Sequence, residues 1–104
     1  MATLAVFERK VVRIGLRGLK VRIPKEVVAA WKAEAGAPIL VSVRGALMEA
    51  EPVPEQGKNT YKLFGTDGAY NLMLPAKWTE RAGVRYGDIL RISWNGEKMK
   101  IEKR

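Results

Sequence analysis

Seven cationic side chains fall within residues 9–25: Arg9, Lys10, Arg13, Arg17, Lys20, Arg22 and Lys25, with no acid among them. Cations at this density repel one another, and a polyanion relieves the repulsion. The chemistry they suit is hydrogen bonding to phosphate oxygens with release of condensed counterions, which gives affinity with little sequence information. Arg13, Arg17 and Arg22 also carry the bidentate fork that reads guanine edges in a major groove. The competing reading is a solvated strand face. Lys98, Lys100, Lys103 and Arg104 form a second basic group, but Glu97 and Glu102 interleave with it and give it the character of an ordinary polar strand face.

The rest of the chain offers little for catalysis. It has no Cys and no His, so thiolate metal sites, disulfides and the usual general base near neutral pH are all excluded. Asp67 and Asp88 lie at turns, where a carboxylate bonds nearby backbone N–H groups. There are no suitably spaced paired carboxylates, no phosphate-cradling glycine loop and no metal-ligand cluster. The expectation is a non-enzymatic protein without catalytic residues, cofactor or metal. Tyr61, Tyr70 and Tyr86 have rings on which bases can stack, yet their apolar surroundings point to burial. Trp31, Trp78 and Trp94 fall at apolar positions and read as core. No stretch reaches the roughly 20 apolar residues of a membrane span. The first ten residues lack the basic-then-apolar pattern of a signal peptide. A cytoplasmic protein is expected.

The elements that must position the cations follow from an internal repeat. The 104 residues suit one domain, and sliding the sequence by 51 positions superposes Pro24 on Pro75, Gly36 on Gly87, Ser42 on Ser93, Gly45 on Gly96 and Met48 on Met99. Val21 and Ile23 then meet Leu72 and Leu74, while Ile39, Val41 and Val43 meet Leu90, Ile92 and Trp94. The single domain therefore divides into repeat 1 (5–51), a Pro- and Gly-containing linker (52–59) and repeat 2 (60–104).

Each repeat reads alike. A first strand covers Phe7–Ile14, with Tyr61–Phe64 as its counterpart. Glycine turns follow, Gly15-Leu16-Arg17-Gly18 and Gly65-Thr66-Asp67-Gly68. The second strands alternate: Leu19, Val21 and Ile23 oppose Lys20 and Arg22, and Tyr70, Leu72 and Leu74 oppose Asn71 and Met73, so one face is buried. Pro24 and Pro75 open short helices. The first helix is expected to run to about Ala35, with Gly36 ending it or starting the next turn, and Gly83 caps the second. Two more strands close each repeat, turning at Arg44-Gly45 and Asn95-Gly96. A unit of about 45 residues has too little core to stand alone, so two must bury their apolar faces together.

The order strand, glycine turn, strand ending in Ile-Pro or Leu-Pro, short helix, Gly-Asp, strand, Asn-Gly, strand resembles the SpoVT/AbrB family of swapped-hairpin DNA-binding domains. The resemblance rests on Lys20-Val21-Arg22-Ile23-Pro24-Lys25-Glu26-Val27, on Asn71-Leu72-Met73-Leu74-Pro75-Ala76-Lys77-Trp78, and on Ala82-Gly83-Val84-Arg85-Tyr86-Gly87-Asp88-Ile89-Leu90. It implies a mostly β fold with two short helices, in which an AbrB-like swapped-hairpin barrel forms within one chain as an intramolecular pseudo-dimer. It also implies DNA contact through the basic hairpin. The family often has Gly-Arg before the second strand's apolar run. Leu19-Lys20 and Tyr70-Asn71 stand there instead, so repeat 2 lacks a cation at that place.

The expected function is nucleic-acid binding, with double-stranded DNA as partner, in transcription regulation or chromosome organisation. The nucleic-acid-binding residues would be Arg9, Lys10, Arg13, Arg17, Lys20, Arg22 and Lys25. One alternative is RNA or ribosome association; another is an antitoxin-type protein-interaction module. Higher homo-oligomers are compatible with either. A membrane partner is not expected.

Overall fold

The computed structural model describes residues 3–66 and 69–104. The described residues are mostly β with two short helices, and their ten strands form two open sheets. In repeat 1 the elements are β1 (Ala5–Lys10), β2 (Val12–Ile14), β3 (Gly18–Arg22), α1 (Lys25–Trp31), β4 (Pro38–Arg44) and β5 (Leu47–Pro52). In repeat 2 they are β6 (Thr60–Lys62), β7 (Phe64–Thr66), β8 (Ala69–Met73), α2 (Ala76–Ala82), β9 (Ile89–Trp94) and β10 (Met99–Lys103).

The strand orders are β1-β9-β10-β5-β4-β6 and β2-β3-β8-β7. The halves therefore interlock: β1 pairs with β9 of the other half, and β6 pairs with β4. The centre of each sheet joins one half to the other, through β5–β10 and β3–β8. Both central registers are two-fold. Glu49 lies opposite Lys100, and Val21 opposite Leu72, each pair being the same repeat position met twice.

The expected first strand, Phe7–Ile14, is two strands in two sheets. Val11 is fully buried at the crossing. Its N–H donates to the Asp88 carbonyl (2.8 Å) and its carbonyl accepts from Gly87 N–H (3.0 Å). Leu63 breaks Tyr61–Phe64 identically, bonding Ala37 and Gly36. At each crossing the N–H and carbonyl of one residue are taken by a turn of the other half, Gly87-Asp88 for Val11 and Gly36-Ala37 for Leu63, so the chain leaves one sheet for the other with its backbone groups paired.

The buried core is built from both halves, with Val21, Ile23, Leu72, Leu74, Leu90 and Ile92 all at 4% exposure or less. Trp78 is wholly buried and Trp94 nearly so; Trp31 is half-buried, edge-on to Trp94 with ring centroids 5.9 Å apart. Val43 is more exposed than its apolar register suggests, at 39%.

Helix α1 stops at Trp31, four residues short of the expected end at Ala35. Lys32 there adopts a left-handed conformation (φ 54°), and the N–H groups of Lys32 and Ala33 return to the carbonyls of Ala29 and Val28. This double bond pattern closes a helix. Gly83 terminates α2 in the same way at the matching position (φ 68°). Gly36 lies beyond the helix, in the turn leading to β4. In repeat 2's first turn, Asp67 and Gly68 lie outside the described residues. No helix among those described is long and apolar enough to cross a membrane.

Candidate nucleic-acid interface

The basic residues converge on the hairpin β2–β3 and the strand that feeds it. The hairpin pairs Val12 with Lys20, Arg13 with Leu19 and Ile14 with Gly18. Its tip depends on Gly18, where a Cβ would come within 2.7 Å of the Ile14 carbonyl oxygen. Leu16 protrudes from the tip, 98% exposed, with Arg17 exposed beside it.

Alternation spreads the cations over both faces of the hairpin. Arg13 shares its face with Leu19 and Val21, whereas Lys20 and Arg22 take the other. Arg22 joins Arg9 and Lys25 around an open concavity of about 390 Å³, which Ile23 and Glu26 also line. The Arg9 guanidinium lies 5.5 Å from the Phe7 ring centre and donates to the Glu8 carbonyl. The Lys20 ammonium lies over Phe64 of the other half, at 5.6 Å. Lys10 is exposed at the end of β1. The seven residues thus encircle one arm and do not form a flat patch.

Sequence reasoning missed a contribution from repeat 2. The turn between α2 and β9 is clamped to Val11, so Arg85 and Tyr86 lie beside the arm. Tyr86 is 56% exposed, contrary to the burial expected for it, and the Arg13 guanidinium sits 5.0 Å above its ring. Tyr61 and Tyr70 are half-buried. The missed signal was the Arg85-Tyr86 pair immediately before Gly87-Asp88; what hid it was that these residues reach the arm only across the interlocked halves. Asp88 holds this turn by accepting from Arg85 N–H at 2.8 Å. That bond, supported by Lys103, keeps the Asp88 carboxyl below the usual carboxylate range.

Four ion pairs occur among the described residues: Arg44–Glu49, Lys98–Glu49, Lys103–Asp88 and Arg104–Glu8. None involves any of the seven cations. Three of the four C-terminal basic residues, by contrast, are engaged with the molecule's own carboxylates. The two groups differ, among the described residues, in what they leave available to a ligand.

No protein-family profile matches the sequence, and searches of curated proteins and of solved structures return no match.

Proposed function

We propose that this chain is a non-enzymatic nucleic-acid-binding protein of the SpoVT/AbrB swapped-hairpin type, two fused units acting as an intramolecular pseudo-dimer. In this reading it grips double-stranded DNA through the β2–β3 arm, in the cytoplasm, as a transcription regulator or chromosome-organising protein. One observation carries the reading: seven cations cluster on and around one arm, and none is ion-paired among the described residues. The exchange of β1 and β6 between halves supports the family assignment, as does the crossing of the chain between sheets at Val11 and Leu63.

The distribution of charge favours a groove over a flat surface. The β2–β3 hairpin forms one edge of the four-stranded sheet β2-β3-β8-β7, and such an edge with its turn can enter the B-form major groove, which is about 12 Å wide and walled by phosphates on both sides. An arm with Arg13 on one face and Lys20 and Arg22 on the other meets both walls. A-form RNA has a major groove too narrow for side chains to read, which sets DNA ahead of RNA as the ligand. In this reading all seven cations meet phosphates, and Arg13, Arg17 and Arg22 also reach base edges with their bidentate forks.

The test is a variant with Arg13, Arg17 and Arg22 all changed to Glu. It should keep the wild-type circular dichroism spectrum and lose duplex affinity by about 100-fold or more, since each phosphate contact removed also flattens the salt dependence by about one unit. Unchanged affinity in a folded variant would refute the reading. Structured RNA competing better than duplex DNA at equal salt would move the assignment to RNA.

A further inference from the structure

The backbone is two-fold, but the charge on it is not. The strand registers define which residues are equivalent. Lys10 opposite Ile89 matches Lys62 opposite Pro38, and Arg13 opposite Leu19 matches Gly65 opposite Tyr70. Arg9 therefore corresponds to Tyr61 and Arg13 to Gly65. Lys20 and Arg22 correspond to Asn71 and Met73, each facing the other's counterpart across the central β3–β8 pair. Lys25 at the start of α1 becomes Ala76 at the start of α2. In the turn that flanks the arm, Arg85 and Tyr86 become Glu34 and Ala35.

Of these positions only Lys10 keeps its charge in the other half, as Lys62. The opposite end of the molecule does have cations of its own, Lys77 and Arg81 on α2, but they accompany Glu80 on the helix and not the hairpin. Counting charges along the chain conceals this difference, because the two halves of the sequence are almost equally basic.

We infer that the protein engages duplex DNA from one end only, so that a single chain occupies one unrepeated half-site in one orientation. The inference rests on the proposed function and adds its geometry. A symmetric pair of arms reads a two-fold site, because operator symmetry mirrors protein symmetry. Here one arm has the means to neutralise phosphates and its mate does not. The second repeat serves as the scaffold: it supplies β9 to hold β1, and it lends Arg85 and Tyr86 to the first repeat's interface. The bound complex is consequently directional, with the hairpin β7–β8, which has no cation and an acid at Asp67, facing away from DNA.

Two charge-reversal variants of equal net charge test this. Arg13, Arg17 and Arg22 changed to Glu, and Lys62, Lys77 and Arg81 changed to Glu, each lower the net charge from +8 by six units. Binding to a random-sequence duplex is measured by fluorescence anisotropy over a salt series, with circular dichroism to confirm folding. The first variant should lose about 100-fold or more. The second should stay within about tenfold of wild type and keep its salt slope, because screened charges away from the contact act weakly.

Equal losses in the first two variants would overturn one-ended binding while leaving the proposed function standing. A footprint on a preferred site showing two symmetric half-sites per chain would overturn it as well. Failure of the wild-type chain to bind any duplex would overturn the proposed function itself, and this inference with it.

Discussion

Lys32 and Gly83 occupy the same place at the ends of α1 and α2, both in the left-handed region. A residue with a Cβ is strained there by about 1 kcal/mol, and glycine is not. Lys32→Gly should therefore stabilise the protein by about 1 kcal/mol, and Gly83→Ala should destabilise it by a similar amount, both read from urea denaturation midpoints. Opposite signs at equivalent positions would show that the cap geometry and not the local sequence sets the energy. Asp88 gives a pH dependence of defined sign. Its folded carboxyl ionises below the ordinary range because Arg85 N–H and then Lys103 favour the anion. Its contribution is thus complete above the ordinary carboxylate value near 4 and disappears as pH falls through the lower folded value. Asp88→Asn should melt lower than wild type at pH 7, and the gap should narrow below about pH 4. A gap constant from pH 7 to pH 3 would contradict the assignment.

At the scale of elements, each helix sends one indole to the far half's hairpin. Trp31 Nε1–H donates to the Glu97 carbonyl (2.8 Å) and Trp78 Nε1–H to the Ala46 carbonyl (3.1 Å). The accepting carbonyls are equivalent, but the tryptophans are one helical turn apart, in the positions of Trp31 and Ala82, and of Val27 and Trp78. Either site on the helix can serve, so the duplication preserved the bond and not the residue. Trp78→Phe should cost about 1–2 kcal/mol, from the lost hydrogen bond and imperfect filling of its buried site, and Trp31→Phe less because Trp31 is half-exposed. Thermal melts of the two variants give the comparison.

Much of this level was legible in the sequence. The alternation at Leu19–Ile23 and Tyr70–Leu74, the prolines before both helices and the glycine turns all mark their elements by local rules. The break at Val11 was not legible: a continuous strand satisfies the residues on either side equally well, and the bonds that divert the chain come from Gly87 and Asp88 of the other repeat. The shortened α1 was not legible. A left-handed lysine is chosen by tertiary packing against the intrinsic preference of the side chain.

On the scale of the whole molecule, fusing the halves resolves a problem at the axis. Position 49 faces its own counterpart across β5–β10. In an assembly of identical units it would meet a like charge, which is destabilising directly across a sheet. The chain has Glu49 on one side and Lys100 on the other. Glu49 is nearly buried and also meets Arg44 (3.7 Å) and Lys98 (3.5 Å). Glu49→Lys should destabilise by about 1 kcal/mol or more, and adding Lys100→Glu should recover part of the loss, as a double-mutant cycle by chemical denaturation would show. Strictly additive losses would exclude the coupling. The candidate interface was legible as a list of cations but not as a shape. Which cations are occupied depends on contacts such as Arg104–Glu8, made across nearly the full length of the chain, and Tyr86 reaches Arg13 only because β1 lies on β9.

The central claim is that the cations of the first hairpin, none of them ion-paired among the described residues, grip a polyanionic duplex, and a salt titration of binding to random-sequence duplex DNA tests it most directly. If the arm neutralises about six phosphates, log K should fall against log salt with a slope of roughly −5, and should flatten by about three units when Arg13, Arg17 and Arg22 are changed to Glu. A slope that is the same in wild type and variant, or no salt-dependent binding at all, would contradict the account.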